Sequence, residues 1–244
     1  MSTRPHLDKV LDAYREQVLR WNRQINLVSR QATRDRLERL ILQCRNSWKH
    51  LAAAEASGFS PETSLWYFDL GSGAGLPGFI WHLQAAADGI PVRTLLVEPR
   101  EKRAWFLKRL NSLEGVKPLE VLAGRWENAS RGGAGQTAEP ANPTNILISL
   151  KALHLTDTEV LDGLVPFLPA AEQVPGGLEL LIARFYPPGQ DWNEDLARDL
   201  EIPPAGEAWV IPGWEFQGAG GGVLLSKSPR GASLVLSPYR ITPS

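Results

Sequence analysis

Through residues 5–28 apolar side chains recur at three- and four-residue spacing: Leu7, Val10, Leu11, Tyr14, Val18, Trp21 and Ile25 fall on one stripe of a helix. A second stripe, Leu37, Leu40, Ile41, Cys44, Trp48 and Leu51, predicts a second helix. After turn-forming residues around 58–64 the texture changes to short apolar runs alternating with helical patterns. The runs are LWYFDL at 65–70, VRTLLVE at 92–98, LEVLA at 119–123, TNILISL at 144–150 and LELLIARF at 178–185. Helices are predicted near 77–88, over 100–114 with Gly115 closing it, and near 156–167. Strand–helix alternation of this kind predicts an α/β fold, a doubly wound and mostly parallel sheet with helices on both faces. Near the end of the chain, AWVIP at 208–212 and GVLLS at 222–226 flank GWEFQGAGG. That spacer is too short for a crossover helix, so the two runs predict a terminal antiparallel pair. Segments 129–143 and 186–191 read as mobile surface loops.

Composition narrows the class. With 244 residues and 43% hydrophobic content the chain can bury a real core, which excludes a disordered or fibrous protein. No stretch approaches the roughly 18–20 consecutive apolar residues of a membrane span. The opening MSTRPHLDK has no signal-like apolar run, so a cytoplasmic protein without a membrane partner, acting as a monomer, is expected. Cys44 is the only cysteine, which rules out an internal disulfide and multi-thiolate metal sites. His6, His50, His82 and His154 are scattered, so no metal site is expected, and His82 and His154 read as structural or surface residues. The net charge of −1 is unevenly spread: residues 1–50 carry 11 Lys and Arg against 5 Asp and Glu. A basic helical extension over 1–58 thus precedes an acidic α/β domain over 59–244, and the basic end is either two solvated helix faces or a surface that meets phosphates.

The chemistry concentrates at 69–78, Asp-Leu-Gly-Ser-Gly-Ala-Gly-Leu-Pro-Gly, between the first strand and the next helix. In open α/β sheets ligands bind at that carboxyl edge. Gly71, Gly73 and Gly75 permit a tight turn whose backbone can approach a ligand. A dinucleotide fingerprint would place its third glycine at position 76, which is Leu76 here, so G-x-G-x-G behind Asp69 favours a cofactor without a pyrophosphate. Glu98 ends the second strand, where a carboxylate can accept hydrogen bonds from two ribose hydroxyls.

In the order strand, DLGSGAG, helix, strand ending in Glu98, then AGRWEN at 123–128, the chain resembles class I S-adenosylmethionine-dependent methyltransferases. More narrowly, LRWNRQINLVSR at 19–30, DLGSGAGLPG at 69–78 and LLVEPREKRAWFLKRL at 95–110 resemble the GidB/RsmG family, which methylates a guanine ring nitrogen, N7, in small-subunit ribosomal RNA. The likeness spans residues 5–128 closely and the remainder loosely. It implies a Rossmann-like class I fold with an antiparallel strand at its C-terminal end, S-adenosylmethionine as cofactor, and ribosomal RNA or the small ribosomal subunit as partner. It further implies a cofactor site formed by Asp69, Gly71, Ser72, Gly73, Gly75, Leu76, Glu98, Pro99, Arg125, Trp126, Glu127 and Ser149. Within it, Gly71, Ser72, Gly73 and Gly75 line the methionine portion, Glu98 the ribose and residues 125–127 the adenine. Asn22, Asn26 and Lys151 would face the acceptor. For the two asparagines, capping at the end of the first helix is an equal alternative.

Three segments depart from the family pattern. Its His and Asp in the second helix correspond to Gln43 and Asn46, with Ser47 kept. Its Ser-Arg-Ala after the fourth strand reads Ser149-Leu150-Lys151-Ala152, and a lysine cannot reproduce the two-point contact of a guanidinium. Its Leu-Lys-Gly after the fifth strand reads Ala183-Arg184-Phe185. A guanine ring nitrogen attacks a sulfonium methyl through its own lone pair, so no catalytic base is required and none is assigned. Trp21 and Trp48 lie on the apolar stripes and read as core residues. Two other functions stay open at the level of sequence: methylation of a small-molecule or protein acceptor, and a cofactor-binding regulator without catalysis.

Overall fold

The computed structural model describes residues 4–29, 33–54, 57–126, 143–151, 153–186, 208–211, 214–218, 223–226 and 233–243. The two apolar stripes form α1 (Arg4–Ile25) and α2 (Arg34–Ala53). Thr33 starts α2 by accepting a hydrogen bond from the Arg36 amide at 3.3 Å, which satisfies one of the amides a helix start leaves unpaired. The alternating segment then supplies β1 (Leu65–Leu70), α3 (Gly78–Ala87), β2 (Val92–Val97), α4 (Glu101–Leu110), β3 (Glu120–Leu122), β4 (Asn145–Lys151), α5 (Asp157–Leu164) and β5 (Leu178–Tyr186). A reciprocal capping box of Thr156 and Glu159 fixes the start of α5.

These five strands are parallel, in the order β3-β2-β1-β4-β5. The chain leaves β1 toward β2 on one side and returns to β4 on the other, which makes the carboxyl ends of β1 and β4 the topological switch point. Past β5 the sheet continues antiparallel through β9 (Ser233–Pro243), β7 (Trp214–Gly218) and β6 (Ala208–Ile211), while β8 (Val223–Ser226) pairs with β9.

The antiparallel end is as expected in kind, but its pairing is corrected. Residues 208–211 pair with 214–217, and residues 223–226 pair with 234–236 rather than with 208–211. Segment 214–218, part of the stretch expected to be a loop, is itself a strand. Trp214, Phe216 and Gly218 are buried in alternation with Glu215 and Gln217, and that period of two is a strand's. Most of the two expected loops, 129–142 and 187–191, lies outside the described residues, and Tyr186 belongs to β5.

Side chains alternate across β1, so Leu65 and Tyr67 enter one apolar cluster and Trp66, Phe68 and Leu70 the other. The first cluster is shared with Tyr14 and Val18 of α1, Ile41 and Trp48 of α2, and the apolar residues of α3, so both N-terminal helices join the core on that face, α1 packing against α2, α3 and α4. Each large apolar side chain buried here contributes about 1.5–3 kcal/mol against exposure. On the other face Trp126 stacks on Phe167 with centroids 5.1 Å apart and donates from Nε1 to the Val160 carbonyl at 3.0 Å. Only glycine fits at position 163 opposite it, because a Cβ there would stand 2.0 Å from Trp126 Nε1. Among the described residues no helix is long and apolar enough to cross a membrane.

Candidate functional site at the carboxyl edge of the sheet

Where β1 ends, the amides of Gly71 and Ser72 both donate to the Val97 carbonyl, at 2.9 and 3.1 Å, and turn the chain across the end of β2. Gly71, Gly73 and Gly75 have φ of 73°, 57° and 90°, a region that costs other residues about 1–2 kcal/mol each. Their surroundings divide them into two groups. A Cβ on Gly71 or Gly73 would have no neighbour closer than 3.5 Å, the nearest being Leu153 and the Gly71 carbonyl, so these two line an open cradle. A Cβ on Gly75 would lie 2.9 Å from that of Phe79, and one on Gly78 would lie 2.3 Å from Asp69 Oδ2. The second pair of glycines lets the start of α3 close onto β1.

Asp69 is the brace of this turn. Its buried carboxylate accepts from Ser149 Oγ at 2.5 Å and from the Gly78 amide at 3.2 Å, and so ties β1, β4 and the start of α3 together. Ser149 Oγ also meets the buried Tyr67 hydroxyl at 2.8 Å. Both Asp69 oxygens are thereby engaged inside the protein. Burial raises its pKa from 3.8 to about 6, against the lowering effect of Ser149, Ser72, the Gly78 amide and the charge of Lys151. With the folded value raised, the contribution to stability is complete below pH 3.8 and lost as pH climbs through about 6. Stability of the native chain relative to Asp69→Asn is therefore expected to fall between about pH 4 and 6, by on the order of 2–3 kcal/mol. Denaturant titrations at the two ends of that window check this, and a difference independent of pH contradicts it.

Glu98 stands opposite the cradle, 3% exposed. Its amide donates to the Leu122 carbonyl at 3.0 Å and its carbonyl accepts from the Gly124 amide at 3.2 Å, so the ends of β2 and β3 hold its backbone. One carboxylate oxygen accepts from the Gly73 amide and the other from the Arg100 amide, both at 2.9 Å. Each oxygen keeps a lone pair. A carboxylate with that spare capacity beside an open backbone cradle suits a ligand carrying neighbouring hydroxyls.

Sequence reasoning missed Arg103. It lies in the first turns of α4, its Nη2 donates to the Asn26 carbonyl at 2.7 Å, and its Nη1 would be 4.0 Å from a Cβ on Gly73. Burial and neighbouring Arg100 lower its pKa while Glu98 raises it. The available signal was its position one turn into the helix that follows Glu98. It joins the N-terminal helices to the glycine loop, as does Tyr14, whose hydroxyl donates to the Ala74 carbonyl at 2.9 Å.

The remaining candidates scatter around this centre. Leu76 is buried beneath the loop and Pro99 is exposed beyond Glu98. Arg125 is exposed, the Trp126 side chain faces the α5 core, and Glu127 lies outside the described residues. Asn22 is 8% exposed and clamps the end of α1, accepting from the Val28 amide at 2.8 Å and donating to the Ser29 carbonyl at 3.3 Å. Asn26 is exposed with φ of 49°. Lys151, at the end of β4, lies over the Phe185 ring at 5.7 Å. Of the departures from the family pattern, Gln43 is half-buried and Asn46 exposed, whereas Ser47 accepts from Trp81 Nε1 at 3.2 Å. Leu150 is core, and Arg184 pairs with buried Asp157 at 2.5 Å. His82 is buried between Thr94 and the Lys117 carbonyl, with its pKa lowered to about 4 by desolvation, so it is a neutral structural group at pH 7. His154 is exposed. Among the described residues no group of three acidic, His or Cys side chains could hold a metal ion.

A parallel 3-2-1-4-5 sheet with an antiparallel extension, a glycine loop after β1 and an acid ending β2 define the fold of class I methyltransferases. The solved structure of MtNAS in complex with MTA and tNA has this fold, with a TM-score of 0.50 at 14% identity over 95% of this chain and 70% of that one. The family model of GidB, rRNA small subunit methyltransferase G, matches residues 8–141. Ribosomal RNA small subunit methyltransferase G of Rhodospirillum centenum is 32% identical over 215 residues, 88% of this chain and 79% of that protein. The protein of the same name from Nitratidesulfovibrio vulgaris strain DP4 is 34% identical over 131 residues, a match spanning about half of each chain, 50% and 52%. The chain belongs to the GidB family of rRNA small subunit methyltransferases G.

Proposed function

We propose that this chain transfers a methyl group from S-adenosylmethionine to a guanine ring nitrogen, N7, of small-subunit ribosomal RNA. The observation that carries the reading is the pairing of an open glycine cradle with a Glu98 carboxylate that retains hydrogen-bonding capacity. The names of the family and of its relatives support the acceptor. A ribosomal substrate would place the work of the protein in the cytoplasm.

When bound, the cofactor supplies an electrophilic methyl and its own leaving group. The chain supplies alignment. Gly71 and Gly73 give the methionine portion a surface without side chains, and Glu98 accepts from the ribose hydroxyls. The stretch 125–127, which follows the Gly124 amide bonded to the Glu98 carbonyl, would border the adenine. Asp69 and Ser149 hold the loop from behind without touching the ligand. Leu153, at 37% exposure over Gly71, covers the reacting end and limits water there. Guanine N7 attacks through its lone pair, so the site needs a positioned base rather than a proton acceptor. Lys151 and Asn26 stand on the acceptor side of the edge.

Glu98→Ala is expected to weaken S-adenosylmethionine binding about 10- to 100-fold, the loss of charge-assisted hydrogen bonds worth roughly 1.5–3 kcal/mol. Calorimetric titration measures it, with Glu98→Gln intermediate. Affinity unchanged in both variants would sink the assignment of the site.

A further inference from the structure

Helices α1 and α4 lie side by side in opposite directions. At one end Lys9 pairs with Glu114 at 3.0 Å, and at the other Arg103 reaches the Asn26 carbonyl. Between these ends Trp21 and Trp105 meet edge to face with centroids 4.7 Å apart. The Arg109 guanidinium lies over both rings, at 5.5 and 5.0 Å, and that of Arg20 over Trp21 at 5.8 Å. Trp105 is 45% exposed, so burial does not account for a tryptophan there.

Open cations beside aromatic rings set this face apart from the rest of the basic N-terminal helices. Arg15 pairs with Asp12 and Glu38, Arg34 with Glu16, and Arg45 with Asp8. Arg20, Arg23, Lys102 and Arg109 are exposed, and among the described residues none of them pairs with a carboxylate. Arg36, Arg39 and Lys49 of α2 are likewise exposed without an ion pair among the described residues, but Trp48 of α2 is buried, so it is along α1 and α4 that open cations stand beside an exposed aromatic ring. Cations that track a phosphate chain, interleaved with aromatic faces on which bases stack, are what single-stranded nucleic acid requires. The Arg103 end of the same face abuts Gly73 and Glu98, so a strand laid over the tryptophans would run to the carboxyl edge of the sheet.

We propose that this α1–α4 face, with Trp105 as the stacking platform and Arg20 and Arg109 as phosphate contacts, docks a single-stranded segment of the substrate RNA. The proposal rests on the RNA methyltransferase reading. It is tested by fluorescence anisotropy with a short fluorescein-labelled single-stranded RNA over a salt series, alongside S-adenosylmethionine titration of each variant. Trp105→Ala is expected to weaken RNA binding about tenfold or more, and Trp105→Tyr to retain most of it, because a tyrosine ring still stacks. The double change Arg20→Gln with Arg109→Gln is expected to flatten the slope of log K against log salt by about 1.4, at roughly 0.7 per lost single-strand phosphate contact. Cofactor affinity stays at the native value in all three.

RNA binding by Trp105→Ala and by the double variant equal to that of the native chain would overturn the docking surface, even if the native chain methylates RNA. Native protein that binds cofactor but neither binds nor methylates RNA would overturn the RNA reading and this surface with it. Tight binding of a double-stranded RNA control that is insensitive to Trp105→Ala would replace stacking with simple phosphate attraction and also overturn the proposal.

Discussion

Gly73→Asp is expected to abolish S-adenosylmethionine binding, with affinity lower by about a thousandfold, roughly 4 kcal/mol, while the chain stays folded. The Gly73 amide donates to Glu98 Oε2 at 2.9 Å, and a Cβ at 73 would project into open space, nearest the Gly71 carbonyl at 3.8 Å. The new carboxylate would thus occupy the cradle and stand as a second negative charge beside Glu98. The ligand would have to displace it, and Glu98 would lose its ability to accept hydroxyls without repulsion. Aspartate tolerates a φ of 57° better than most side chains, so strain of about 1 kcal/mol leaves a folded protein. Circular dichroism and calorimetric titration separate the two effects. Affinity within a few-fold of the native value would show that the ligand does not use this loop.

The second large effect concerns stability. Asp157 and Arg184 form an ion pair with side chains 1% and 6% exposed, and Tyr239 donates from its hydroxyl to the second oxygen of Asp157. Arg184 also donates to the Leu155 carbonyl at 3.1 Å, while its Nη1 is buried without a hydrogen-bond partner. Removing the carboxylate leaves a buried cation uncompensated and a tyrosine hydroxyl without its acceptor. Asp157→Ala is therefore expected to cost about 3–5 kcal/mol of unfolding free energy, read from denaturant midpoints. Adding Arg184→Met to it should recover much of that loss, because the pair replaced by apolar groups carries no desolvation penalty. A loss below about 1 kcal/mol for the single change would contradict the buried pairing.

What could be read in the sequence was what repeats locally. The stripes of α1 and α2 carry a helical period, the runs of β1 to β5 are short and almost continuously apolar, and the alternation of the two implies a parallel sheet. At the other end of the chain, Trp214 and Phe216 do alternate with polar residues, but five residues among glycines are too few for the period to outweigh the turn signal. In the site, Gly71, Gly73 and Glu98 were legible because their roles depend on backbone conformation and on a place in a βαβ unit. The packing role of Gly78 was not, since it depends on Asp69 standing 2.3 Å from where a Cβ would be. Nor was Arg103, whose partner Asn26 is 77 residues away. Trp126 shows the same limit from the other side: a motif position says where its backbone lies, and the ring goes where Phe68 and Phe167 leave room for it.

The most direct measurement is transfer of labelled methyl from S-adenosylmethionine to small-subunit RNA and to assembled small subunits from a host lacking its own guanine methyltransferase, followed by nucleoside mass analysis. Label recovered as 7-methylguanosine, absent with Gly73→Asp, is the expected result. No transfer to RNA or particle by a chain that binds the cofactor normally would contradict the proposed function.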